Sequence, residues 1–283
     1  MRILQGLYQF LLNWLLSERP ARHVRLSDFN KVSQIVRPGD VLLLDGRSRL
    51  DHRLRAINPS RWSQTMLYLG RLHDITDPAL RATLCDYYPA QADTQLLIGT
   101  RLDQGLVLMP LSSLENEHLR ICRPSGLGDG EIAEVIRYAI SRLNVSQGSP
   151  WGAILLMLFP WALLPRRIRP AAFIRFAGRR LRNLTGGMVG EAFAFVQFPV
   201  MPLVKQPDNG RLLRRHPRTH LAADFDHSPY FEIIKYPFVD QQQQSPSELV
   251  PWQTPEDLAR GSAGDSNLRI VSDGQGLKGG TGD

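Results

Sequence analysis

Hydrophobic residues in this chain change their spacing several times, and each change marks an element. Ile132, Val135, Ile136, Ala139, Ile140 and Leu143 recur at helical spacing, which predicts a helix over residues 129–143 with Asp129 at its start and Glu131 in its first turn. Short apolar runs at 41–44, 66–70, 94–98, 105–109, 119–122 and 230–234, bounded by Gly, Pro and Asp, predict strands. The first run follows Arg37-Pro38-Gly39-Asp40, where Pro fixes φ and Gly tolerates φ > 0, as a turn requires. Helices are expected over 28–35 and over 50–57, the second with Leu50, Leu54 and Ile57 on one face before Asn58-Pro59 stops it. Residues 71–91 carry Asp77-Pro78 and Tyr88-Pro89 and little periodicity, so they read as an irregular loop or insertion.

Two stretches are apolar almost throughout. Residues 1–16 are interrupted only by Arg2 and by Gln5, Gln9 and Asn13, a narrow polar stripe four residues apart, and the run is short for a bilayer span. Ser17-Glu18-Arg19-Pro20 offers no small-residue cleavage site, so an amphipathic helix over 1–20 is expected, lying on a membrane or on the domain, ahead of a processed signal. Residues 151–164 are apolar around Pro160, and Arg166, Arg167, Arg169, Arg175, Arg179, Arg180 and Arg182 follow. The stretch 150–182 reads either as a helical hairpin packed on the domain with a solvated basic face or as an interfacial segment facing anionic lipid. Trp151, Phe159, Trp161, Arg166, Arg167 and Arg169 are the candidate membrane contacts. From residue 240 the Gln run and the Gly/Ser/Asp-rich end predict a disordered tail over 240–283, leaving 21–239 as the main domain.

Composition narrows the classes. With 283 residues, 43% hydrophobic and 22% charged, the chain supports one substantial core, and 34 Lys+Arg against 27 Asp+Glu give +7, which favours anionic surfaces. No aromatic residues interleave the basic run as a stacking platform, so nucleic acid is not expected as a partner. Only Cys85 and Cys122 are present, which makes a reducing, cytoplasmic compartment the default. No Cys/His group has metal-ligand spacing; His216, His220 and His227 would need a helix that Pro217 and Pro229 oppose, so neither metal nor cofactor is expected.

Four blocks then point to a family. Pro38-Gly39-Asp40 leads into a strand; Gly46-Arg47-Ser48-Arg49 precedes a short helix; Trp62-Ser63 heads a strand ending Tyr68-Leu69-Gly70; and Glu191-Ala192-Phe193 is followed by Phe198-Pro199-Val200-Met201-Pro202. This order resembles the permuted papain-like cysteine hydrolases of the NlpC-like superfamily, and within it the bacterial YiiX/YaeF-type group. Arg215-His216, Asp224-Phe225-Asp226 and residues 228–235 resemble that group's closing segment. The resemblance implies an α+β fold in circularly permuted order, a small, mostly antiparallel sheet flanked by helices, with amidase, peptidase or acyl-ester hydrolysis through Cys and His.

At the positions where the resemblance places the catalytic histidine, cysteine and acid, this chain has Gln64, Thr185 and Gly99. A carboxamide donates and accepts hydrogen bonds but does not take a proton near neutral pH, and a threonine hydroxyl without an adjacent base is a poor nucleophile. Read by itself, Thr185 is an ordinary helix N-cap, and Gly186, Gly187 and Gly190 permit close packing; they lack the Lys-Ser/Thr of a phosphate loop. The expectation is a catalytically degenerate member that binds a ligand or partner in the former cleft, with Trp62, Ser63, Gly186 and Gly187 as cleft residues, at or near the inner membrane surface. Two alternatives stay open: an active amide or ester hydrolase pairing His216, His220 or His227 with Thr185, Ser63 or Cys85, and a membrane-associated scaffold.

Overall fold

The computed structural model describes residues 2–18, 28–58, 60–75, 77–88, 93–146, 148, 150–205, 212–213 and 215–234. In chain order the elements are α1 (Arg2–Leu16), α2 (Phe29–Ile35), β1 (Val41–Asp45), α3 (Arg49–Ile57), β2 (Gln64–Arg71), α4 (Pro78–Tyr87), β3 (Gln95–Arg101), β4 (Gly105–Pro110), β5 (His118–Pro124), α5 (Asp129–Ser141), α6 (Pro150–Leu158), α7 (Arg169–Phe176), α8 (Arg179–Thr185), α9 (Gly187–Phe195), β6 (Val204–Lys205), β7 (Leu212–Leu213), α10 (Ala222–Asp226) and β8 (Phe231–Ile234). The fold is α+β: six strands in the order β4-β3-β2-β1-β5-β8 form one sheet, every neighbouring pair antiparallel, with helices on both faces.

β1 is central and every residue in it is buried, which is why it reads as a continuous apolar run rather than an alternating one. Its side chains feed two cores. Val41 and Leu43 join Leu67, Leu69, Val135, Ile136, Val189 and Phe193 under α5 and α9, whereas Leu42 and Leu44 join Met66, Tyr68, Leu97 and Ile121 under Val32 of α2. A third cluster is purely helical: Leu12 and Leu15 of α1, Leu50 and Leu54 of α3, Ile154 and Met157 of α6, Phe173 of α7 and Leu181 of α8 pack together beside the sheet. Of the two sites expected for the N-terminal helix, α1 takes the domain, with Gln5, Gln9 and Asn13 on its exposed side.

The Pro-Gly-Asp turn does mechanical work. Gly39 sits at φ +86°, and its N–H donates to Tyr68 O at 2.9 Å, tying the start of β1 to the end of β2. Asp40, 1% exposed, accepts Arg37 N at 2.7 Å and a two-point contact from Arg123, Nε to Oδ1 at 2.9 Å and Nη2 to Oδ2 at 2.8 Å. Burial pushes the Asp40 carboxyl above its ordinary range, although the Arg123 and Arg37 bonds pull the other way. Arg123→Met is expected to destabilise the fold by about 2 kcal/mol at neutral pH, because it leaves a buried carboxylate with only Arg37 N among its named donors. A carboxyl raised in the folded state favours folding below its unfolded pKa and loses that contribution as pH rises through the folded one. The deficit should therefore shrink on acidification, as Asp40 takes up a proton; urea melts showing the same deficit at neutral and mildly acid pH would refute this.

Within the stretch read as an irregular loop over 71–91, the described residues 71–75 and 77–88 are largely helical. A 3-10 turn at Leu72–Asp74 leads to α4, where Asp77 Oδ1 accepts Leu80 N at 3.3 Å and Pro78 occupies the first helical position, a place that needs no N–H. Among its described side chains α4 sends one that is fully buried, Leu84, into the core, too few for a periodic stripe. α6 ends before Pro160, and Trp161–Leu163 forms a 3-10 turn ahead of α7. The expected tail over 240–283 lies outside the described residues.

Candidate functional site

Ser48 and Asp51 organise the first half of the site. Ser48 caps α3, its Oγ accepting Asp51 N at 3.1 Å, while Asp51 reaches back to accept Ser48 N at 3.0 Å, a capping box that sets the carboxylate over the helix start. Asp51 is 3% exposed and takes three more donors: Ser48 Oγ at 2.5 Å, Ser63 Oγ at 2.7 Å and Gln64 Nε2 at 2.7 Å. Ser63 Oγ also bonds Leu44 O at 3.1 Å and accepts Gly46 N at 3.3 Å. Both side chains are thus committed inside one buried network.

Thr185 belongs to the other face of the sheet. Opposed residues in an antiparallel pair share a face, and successive residues alternate. Gln64 opposes Leu44, which faces the α2 core, whereas Thr65 opposes Leu43, which faces the α5/α9 core. Thr65 Oγ1 donates to Thr185 O at 3.0 Å, so position 185 abuts the start of β2 from the side that Gln64 does not face. The Thr185 hydroxyl, 2% exposed, donates back to its own helix, 3.1 Å from both Leu181 O and Arg182 O. It caps no helix: Thr185 is the last residue of α8, Gly186 at φ +141° makes the break, and α9 begins at Gly187. The N-cap reading of Thr185 is corrected accordingly; a positive φ requires glycine, so the break falls one residue later.

Neither Gly186 nor Gly187 borders open space. A Cβ on Gly187 would lie 2.8 Å from Arg218 O, and one on Gly186 would lie 3.0 Å from Phe225 and 3.1 Å from His220 O. Gly99, in β3, packs under Met66, two residues along β2 from Gln64, where a Cβ would sit 3.0 Å from Met66 Cγ. Trp62 is buried, its indole N–H donating to Asp226 Oδ2 at 3.0 Å; the Arg120 guanidinium stacks 4.8 Å from its ring, and Arg120 is also ion-paired with Asp226. This Trp62–Arg120–Asp226 cluster joins the strand start to α10.

The histidines are dispersed. His216 Nδ1 accepts Arg218 N at 3.2 Å on the surface; His220 is buried with Nδ1 3.5 Å from Asp224 Oδ2; His227 is exposed, its Nδ1 2.8 Å from Ala223 O. Among the described residues no cluster of three or more His, Cys, Asp or Glu has metal-binding geometry. Cys85 is free and exposed on α4; Cys122 is free and buried in β5, where burial pushes its thiol well up.

Of the candidate membrane contacts, Trp151 packs against Tyr8 with ring centroids 5.2 Å apart, and Trp161 is buried with its indole N–H on Leu156 O at 2.9 Å. Arg169 turns inward to carbonyls, whereas Phe159, Arg166 and Arg167 are exposed. A hollow of about 590 Å³ lies elsewhere, between the Pro38 turn, Leu69, α4 and α5, with Ile132 and Ile136 among its walls and Arg37, Arg123 and Arg137 among its charged lining. Leu69 is five residues along β2 from Gln64, roughly 17 Å at strand rise. Comparison with protein-family models finds no match, and no curated protein matches this chain.

The sequence offered one unused signal. Ser48-x-x-Asp51 at the head of an amphipathic helix is a capping-box pattern, and it leads to the residue that holds Gln64.

Proposed function

We propose that this chain is a permuted papain-like domain without hydrolytic chemistry, acting as a binding module. The observation that carries the reading is the commitment of Gln64 and Thr185 to separate structural networks on opposite faces of one sheet. General base and nucleophile must share a hydrogen bond to act. Here one side chain is bound to Asp51 and the other to the backbone of α8. The order of the elements, the antiparallel sheet and the Pro38-Gly39-Asp40 turn support the papain-like part of the reading, whereas the opposite faces taken by positions 64 and 185 count against it. Two unpaired cysteines support a reducing compartment. A binding role has room in the hollow beside α5, whose volume lies in the range of small-molecule sites.

The reading is tested with a generic activated ester and a peptide amide. Turnover should equal that of buffer alone and be unchanged by Thr185→Ala. The double substitution Gln64→His with Thr185→Cys should gain no turnover either, since it restores residue types but not a shared face. Turnover above buffer that Thr185→Ala abolishes would overturn the proposal, as would activity in the double variant.

A further inference from the structure

We infer that the helical lobe is a docking surface for an anionic lipid bilayer, lying in the interface without crossing it. The inference is independent of the loss of catalysis. It starts from a distribution: Leu155 on α6, Phe159 just after it, Leu163 in the following turn, and Ile168 and Phe176 around α7 are all exposed large hydrophobics, Leu163 at 79% and Phe176 at 68%. α6 explains its own share. Ala153, Ile154 and Met157 face inward, so Leu155 stands on its outer side, and Phe159 follows directly after its last residue.

Charge identifies the occupant. Between Glu134 and Glu191 the chain has no carboxylate and nine arginines. Arg166, Arg167 and Arg175 are exposed, and among the described residues no carboxylate pairs with them; Arg175 instead lies 5.9 Å from the ring of Phe176. A second copy of the chain placed on this face would set arginine against arginine, which disfavours an isologous dimer. A bilayer rich in anionic headgroups offers phosphates to the arginines and acyl chains to Leu163 and Phe176 at once. No helix among the described residues is long and apolar enough to cross a membrane, in keeping with an in-plane contact.

The presenting turn is already built. Arg169 donates to Leu164 O at 2.8 Å, Ala56 O at 3.0 Å and Ala162 O at 3.2 Å, which fastens the segment between α6 and α7 to α3. Trp161 is its buried anchor, edge-on to Phe159 at 5.3 Å and to Phe173 at 6.2 Å. Little ordering is left to do on binding, so the exposed side chains act as a preformed patch.

The test is cosedimentation of the purified full-length chain with vesicles of phosphatidylcholine alone and with vesicles about one-third phosphatidylglycerol. Binding is expected to the anionic vesicles and to weaken as salt is raised. Each exposed arginine contributes about five-fold to partitioning, so Arg166→Gln with Arg167→Gln should lower it at least ten-fold. Leu163→Ser with Phe176→Ser should lower it at least ten-fold as well. These side chains are exposed, so thermal melts of the variants should match the parent and rule out misfolding as the cause. Failure of the folded parent to bind anionic vesicles, equal binding to both vesicle types, or binding indifferent to both double variants would overturn the inference. So would a dimer or an acidic-protein complex that these substitutions abolish while vesicles are ignored, since the face would then belong to a protein partner.

Discussion

Asp51→Ala is expected to cost about 4 kcal/mol of folding stability, the largest single effect anticipated outside the apolar cores. One carboxylate satisfies Ser48 N, Ser48 Oγ, Ser63 Oγ and Gln64 Nε2. Deleting it leaves Ser48 N, Ser48 Oγ and Gln64 Nε2 without their acceptor in a largely buried site, and an unmade buried hydrogen bond costs more than a made one contributes. The space around it is equally tight: a Cβ on Gly46 would fall 2.3 Å from Asp51 Oδ2. Asp51→Asn separates acceptor from shape. It keeps the size but turns one acceptor into a donor facing donors, and about 2 kcal/mol should be lost. Urea unfolding of the three proteins decides the matter; a loss below about 1 kcal/mol for Asp51→Ala would mean that water or rearranged partners replace the carboxylate.

Gly190→Ala should reverse the sign that helix propensity alone predicts. Alanine stabilises an exposed helix interior by about 1 kcal/mol relative to glycine. Here α9 crosses the 3-10 turn at Pro217–Thr219 so closely that a Cβ on Gly190 would lie 2.5 Å from Pro217 O and 2.8 Å from His220 Cδ2. Backbone and a buried ring cannot both retreat without opening the core beneath α9, so a net loss of about 3 kcal/mol is expected. Gly152→Ala on α6 serves as the contrast, since nothing lies within 4 Å of its Cβ position. Thermal melts should fall for the first and hold or rise for the second. A Gly190→Ala protein as stable as the parent would show that the crossing has slack.

Much of the sheet was legible because its signals are local. The helix read at 129–143 is α5 at Asp129–Ser141, and the strand read behind the Pro38 turn is β1 at Val41–Asp45, since a 3.6-residue period and an apolar run between turn residues each report a face directly. α4 was missed for the converse reason: among its described side chains only Leu84 is fully buried, and its Pro78 resembles a loop signal while serving as a helix start.

The candidate site divides in the same way. That position 64 lacks a proton carrier and position 185 lacks a thiol follows from residue identity alone, and so does the run of arginines without carboxylates. Which face Gln64 takes was decided by the pairing of β2 with β1, because a strand alternates and a one-residue change of register would exchange Gln64 with Thr65. Asp51 as partner of Gln64, the seating of Gly186 and Gly187 against His220 and Arg218, and the outward stand of Leu163 and Phe176 beside the buried Trp161 were likewise tertiary decisions. Periodicity shows that a side chain is apolar or polar and which way its element leans; only the packing of distant segments fixes what it meets there.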